Sequence, residues 1–293
     1  MQHRKNMVVK ASEVQLDINN IAARKEPRRV LMCSPDYFDV VDVKNPYMEG
    51  NAGKIDKMLA CKQWAFLKEG YAKLVENGVL EKFIELNGAE GCEDMVFAAN
   101  QSFPWITEAG EKVVIMSKMR HASRQKEVPF FEKLYADHGY KIMHLKKTKL
   151  FEGMGDAIPH PGKSLIYGGY GHRSNEDAYQ EIAEILNVPI VTIELKDSRF
   201  YHLDTCFLPL DKNTVMLFPE AITAEDLKGI RKLFKNLIVV SEEEAVHGFA
   251  LNAHVISDQA SGRKVALIQK GSKKTVTQLK ENGFEVIEAD TSE

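Results

Sequence analysis

Side chains that can hold or move protons recur at matching places along this 293-residue chain. They are Asp94 and Asn100 in EDMVFAAN, Glu152 and Asp156 in FEGMGDA, His202 and Asp204 in YHLDT, and Asn252 in FALNAHVI. Singly, each has a plain structural reading. Asp and Asn form turns at strand ends, Gly153 and Gly155 allow a tight turn or bulge, and His202 between Tyr201 and Leu203 reads as a core histidine. Jointly, one histidine with several carboxyls and amides lines a pocket for a cation rich in hydrogen-bond donors. Planar guanidinium is the best match, because its fork of N–H groups pairs with carboxylate and amide oxygens. The joint reading holds only if the fold brings these segments to one place.

The elements that would do so form a repeat. Residues 95–99, 112–116, a helix carrying Val128, Phe131, Leu134 and Tyr135, and a run ending at Leu145 read as strand, strand, helix, strand. The order returns from Asp156 to Leu195, with a helix carrying Ala178, Ile182, Ile185 and Leu186. It returns again from Thr205 to Val240, with Leu227, Ile230, Leu233 and Phe234 on the helix. A fourth copy runs from Phe249 to Ile287, with Val276 and Leu279 on its helix. Apolar spacing near 3.6 in the helices and β-branched runs in the strands support each assignment. Residues 29–88 resemble a fifth copy that lacks one strand: Arg29 to Cys33, a helix with Ile55, Met58, Leu59, Leu67, Tyr71 and Leu74, and a strand near Phe83 to Leu86. A closed ring of such units would aim equivalent strand ends at its axis. Residues 1–28 are charged and aperiodic, and read as an appended helix or loose arm.

Composition narrows the function classes. With 39 Lys+Arg against 42 Asp+Glu, the net charge of −3 argues against a nucleic-acid surface. No apolar run approaches the ~20 residues that span a bilayer, and the polar start lacks a signal-peptide core, so a cytoplasmic, non-membrane protein is expected. The four cysteines, Cys33, Cys61, Cys92 and Cys206, have no disulfide or metal spacing, and the nine histidines include no helical HxxxH pair. The lysines at 146, 147 and 149 read as a solvated loop.

At the polar segments the chain resembles the guanidino-group-modifying (pentein) superfamily, which holds arginine deiminases, dimethylarginine dimethylaminohydrolases, amidinotransferases and arginine dihydrolases. The likeness is greatest to the dihydrolase-like branch. It runs through MCSPDYFDVVDVKNPYMEGN, DMVFAAN, FEGMGDA, GGYGHRSNEDA, RFYHLDTCFLPL and FALNAHVI. The resemblance implies a five-bladed α/β propeller formed by residues 29–293 as a single catalytic domain. It implies His202 as the catalytic histidine, Glu152 as a second acid–base carboxylate and Asp204 as the carboxylate that holds guanidinium. Asn100 sits where deiminases carry Asp and matches the dihydrolase-like branch. Asp94, Arg124 in HASRQKEVP and Arg173 in GYGHRSN match positions that fix the ligand and its α-carboxylate, and Asn45 matches a further pocket residue. Glu93 stands where the family often has Pro.

The chemistry implied is hydrolysis of C–N bonds in arginine or a close analogue. A thiolate attacks the guanidinium carbon, the cation lowering the thiol's pKa in place. Histidine protonates the departing amine and then helps activate water against the thiouronium intermediate. That scheme needs no metal or organic cofactor, and a small guanidino compound is the expected partner; a homo-oligomer is left open. The resemblance puts the nucleophilic cysteine just after Asp290-Thr291-Ser292-Glu293, at the strand the fifth unit lacks. The 293 residues alone are therefore expected to turn nothing over. Alternatives carried with this reading are an inactive guanidino-binding relative and an amidinotransferase.

Overall fold

The computed structural model describes residues 7–293 and divides into two compact units. One comprises the chain up to Lys25 together with Ala99–Val239; the other comprises Glu26–Ala98 and Val240–Glu293. Both are mixed α/β and built from the same small sheet. In it a hairpin of two antiparallel strands is followed by a helix and a third strand, which returns parallel to the second.

The first unit contains three such sheets. Ser102–Ile106 pairs antiparallel with Lys112–Met116, which pairs parallel with Lys141–His144 beyond the helix Val128–Asp137. Ala157–Pro159, Ile166–Tyr170, the helix Asp177–Leu186 and Ile190–Glu194 repeat the pattern. Phe207–Asp211, Thr214–Leu217, the helix Ala224–Leu233 and Asn236–Val239 repeat it again. Each helix turns its apolar stripe onto its sheet. Ala178, Tyr179, Ile182, Ala183 and Leu186 pack with Phe151, Ile166 and Ile190 in one core. Full burial of Ile182 stabilises the fold by about 1.5–3 kcal/mol.

In the second unit His254–Ser257, Lys264–Gln269, the helix Lys273–Glu281 and Glu285–Ala289 give a further complete copy. Arg29–Cys33 and Lys82–Leu86 form a parallel pair around the helix Lys57–Glu76, the shortened copy read from sequence. Tyr71 and Leu74 of that helix join Val30, Val265 and Leu267 in the core. Met58, expected on its apolar face, is instead 86% exposed.

Three strand assignments shift. Met95 to Ala99 forms turns, and the first strand of that copy is Ser102–Ile106. Phe249 to Ala253 is likewise a turn, with Phe249 at a φ of 48°, so the strand starts at His254. The segment read as an arm contributes Val8–Lys10, parallel to Ile190–Glu194, and Ala11 and Val14 beyond it are fully buried. Ser12 N–H donates to Asp226, and the α-carbon of Gly229 lies under Ala11, where a Cβ would sit 1.6 Å from the Ala11 carbonyl oxygen. Residues 1–6 of the expected arm lie outside the described residues. No helix among the described residues is long and apolar enough to cross a membrane.

Candidate active site

The sharpest concentration of buried charge lies in the first unit, where the segment Glu152–Asp156 leads into a strand. EGMGD makes a single helical turn, and its glycines are required there. Gly153 has a φ of 55° and packs so closely that a Cβ would stand 2.5 Å from the Ser102 carbonyl oxygen. A Cβ on Gly155 would stand 2.4 Å from Asn100 Nδ2 and 3.1 Å from His202 Cγ. The turn thus brings the EGMGD backbone against both Asn100 and His202. Met154 N–H donates to the Ala99 carbonyl at 2.8 Å, tying the turn to the end of the EDMVFAAN segment.

Glu152 is fully buried, and its carboxylate is satisfied on both oxygens. Oε2 lies 2.7 Å from His202 Nε2 and accepts from Arg173 Nη1 at 3.0 Å; Oε1 accepts the Arg120 backbone N–H at 2.8 Å. Burial pushes this carboxyl up, but His202, Arg173 and the Arg120 N–H outweigh it and hold it at about 2. Glu152 is therefore an anion whose Oε2 fixes the His202 ring. Arg173 also lies over the Tyr201 ring, 4.9 Å from its centroid.

Asp156 is buried beside this pair. Its Oδ1 accepts the Leu203 N–H at 3.0 Å and its Oδ2 accepts from Ser174 Oγ at 2.7 Å. Burial, opposed by His202 and these donors, drives its carboxyl up to about 7. Asp204 sits half-buried in the turn Leu203–Thr205, two residues past His202.

Asn100 and Arg124 are held together. Arg124 Nη1 donates to Asn100 Oδ1 at 2.9 Å, while Nε and Nη2 each donate to Glu127 at 3.2 Å. Gln101 Nε2 donates to the same Glu127 at 2.5 Å. His202, Glu152, Asn100 and Arg173 thus meet around the EGMGD turn, with Arg124 joined through Asn100.

Asp94 and Asn45 belong to the second unit. Asp94 is 1% exposed and pairs with Lys44 at 2.9 Å, which also contacts Asp42 and Glu93. Burial pulls the Lys44 pKa down, but the three carboxylates more than offset it and raise it. Asn45 caps the next turn, its Oδ1 accepting the Tyr47 N–H at 3.0 Å.

Among the four cysteines, Cys61 is exposed and the other three are buried. Burial, with Asp204, Asp156 and Asp197 nearby, pushes the Cys206 thiol well up and away from the thiolate. Among the described residues no group of three or more His, Cys, Asp or Glu could hold a metal ion.

Reading the sequence missed Glu127, Lys44 and the partners of Asp156. Glu127 was accessible from its spacing of three from Arg124, which suits a buried ion pair. Lys44 and the backbone partners of Asp156 carry no such signal.

By its likeness to known proteins, this chain of small mixed α/β repeats with a buried carboxylate–histidine–arginine cluster falls in the guanidino-modifying class. The chain belongs to that superfamily and, within it, to the family described as N,N dimethylarginine dimethylhydrolase, eukaryotic, whose model matches residues 42–293. It is 35% identical, over 90% of its length, to a bifunctional arginine dihydrolase/ornithine cyclodeaminase of Synechocystis. It spans only 35% of that relative's length. It is 31% identical to the N(G),N(G)-dimethylarginine dimethylaminohydrolase of Mycobacterium tuberculosis, over 92% of this chain and 83% of that one. The crystal structure of the N-terminal domain of ArgZ, an arginine dihydrolase of the cyanobacterial ornithine-ammonia cycle, superposes with a TM-score of 0.80. There the identity is 33%, over 90% of this chain and 92% of that domain.

Proposed function

We infer that this protein hydrolyses the C–N bonds of a guanidino compound, with arginine or a close analogue as substrate. The observation that carries the reading is Glu152 Oε2, buried and shared between His202 Nε2 and Arg173 Nη1. An imidazole fixed by a permanently ionised partner is suited to give a proton to a leaving amine and take one from water. His202 is the general acid–base, and Glu152 orients it. Asp204 pairs with the guanidinium, and Asn100, Arg124 and Arg173 form the rest of the binding set in the first unit; Asp94 and Asn45, in the second unit, are carried as ligand-binding residues on the resemblance alone.

The relatives support the substrate class. The N-terminal dihydrolase domain of ArgZ has been solved with substrate and covalently bonded to a reaction intermediate, and AgrE, a second bifunctional relative, has been solved with L-arginine. The reading includes a five-bladed α/β propeller over residues 29–293, supported by the four complete sheets and one shortened sheet, with Val8–Lys10 added to one of those sheets as an edge strand. It also includes a cytoplasmic location.

The test is ammonia release from L-arginine by the intact gene product. His202→Ala should lower the rate by ~10²–10⁴, the usual cost of losing a general acid–base. Wild-type turnover in that variant, or arginine binding without ammonia release by the unmutated protein, would reject the reading.

A further inference from the structure

Two segments deliver side chains to Glu152 Oε2: one ends in Arg173 and Ser174, the other in His202 and Leu203. Asp156 touches both. Its Oδ2 accepts from Ser174 Oγ, next to Arg173, and its Oδ1 accepts from Leu203 N–H, next to His202. The loop closes on the carboxylate itself, because Ser174 Oγ also accepts the Glu152 backbone N–H at 3.0 Å. Ser174 is buried, and Asp156 is 1% exposed. Each partner is therefore held in place by hydrogen bonds sheltered from water.

We propose that Asp156 is a positioning residue: with Ser174 it clamps the backbones beside Arg173 and His202, so that both side chains meet on one oxygen of Glu152. Two features of the surroundings fit this role. Burying a carboxylate is costly, and a capping or surface function would not require it. The segments joined are also far apart in sequence, which places the contact at the convergence of strand ends and not inside one turn. The groups facing Asp156 are His202, Glu152, Ser174, Tyr179 and Cys206. Tyr179 Oη lies between two main-chain carbonyls, donating its one proton chiefly to Gly169 at 2.5 Å with the Asp156 carbonyl at 3.1 Å.

The proposal rests on the hydrolase reading only for its arginine measurement. The experiment compares the unmutated 293-residue chain with Asp156→Ala, Asp156→Asn and Ser174→Ala, each checked for native circular dichroism. The His202 imidazole is observed by ¹⁵N NMR, and L-arginine binding is measured by calorimetry. Asn keeps an acceptor for Leu203 N–H and a donor for Ser174 Oγ, so it separates clamp geometry from charge. The expected result is a displaced Nε2 resonance in Asp156→Ala and Ser174→Ala, near-native resonances in Asp156→Asn, and arginine affinity that falls about tenfold or more in Asp156→Ala but stays within about threefold in Asp156→Asn. A folded Asp156→Ala with the native resonance would overturn the proposal, as would Asp156→Asn behaving like Asp156→Ala. Absence of arginine binding by the unmutated chain would count against the substrate reading alone, since the resonances still report the clamp.

Discussion

Arg124 and Glu127 lie side by side three residues apart, Nε to Oε1 and Nη2 to Oε2, both at 3.2 Å and both almost wholly buried. The pair points Nη1 of the arginine at Asn100. Removing one member strands a buried charge and frees the Asn100 amide. Glu127→Ala should therefore destabilise the protein by about 3–5 kcal/mol, read from the urea midpoint. Lys133→Ala, which breaks the exposed pair with Asp137, should leave that midpoint in place.

The EGMGD turn distinguishes two glycines. Gly153→Ala meets three backbone carbonyls that cannot move away and should lower stability first. Gly155→Ala meets the Asn100 amide and the His202 ring, which can swing aside at the expense of their alignment. Thermal melts beside arginine calorimetry should show Gly153→Ala moving mainly the melting temperature and Gly155→Ala mainly the affinity. Equal behaviour of the two would contradict the geometry.

His160 offers a pH test away from the cluster. It is fully buried, with Nδ1 2.7 Å from the Tyr167 hydroxyl and Nε2 3.2 Å from the Lys212 carbonyl. The neutral tautomer with a proton on Nε2 satisfies both partners. Burial pushes its pKa down to about 4 from the ordinary 6.5, against a smaller upward pull from the Lys212 carbonyl. The unfolded chain takes up this proton first, so the stabilisation is complete above about pH 6.5 and is lost as pH falls toward about 4. Asp156, raised to about 7, works in the opposite direction: its burial cost is relieved as pH falls below that value. The difference between wild type and His160→Gln isolates the histidine. Urea titrations should show the variant gaining on wild type from pH 6.5 down to 4.

Gly229 is the seat of the N-terminal segment. A methyl group there would collide with the Ala11 carbonyl and force residues 11–14 off the helix Ala224–Leu233. Gly229→Ala should speed hydrogen exchange at Val8 to Lys10 while leaving Thr214–Leu217 protected. Unchanged exchange in the segment would show that the seat is looser than drawn.

The repeat was legible because its parts obey simple spacing. Leu233 and Ile230 mark the buried face of their helix, and residues 30–33 form an unbroken apolar run within the strand Arg29–Cys33. Met95 to Ala99 misled because an apolar run signals burial without stating whether a ladder forms, and Met95 is buried in a turn. Val8 and Val9 form too short a run to signal a strand; only the open edge of Ile190–Glu194 makes them one. Within the site, Glu152 and His202 stood out by type and motif. The Asp156 clamp did not, since one of its partners is a main-chain N–H, a group every residue but proline carries.

The parallel pairing of Val8 with Ile190 has a bearing on how the molecule is made. The Val8–Lys10 strand must wait for a neighbour about 180 residues later, so its docking is a late event and its closure a slow one. Until then an apolar edge and the groove over Gly229 stay open to solvent. A nascent chain stalled before Glu194 would present the unpaired Val8–Lys10 segment to chaperones or to other copies of itself.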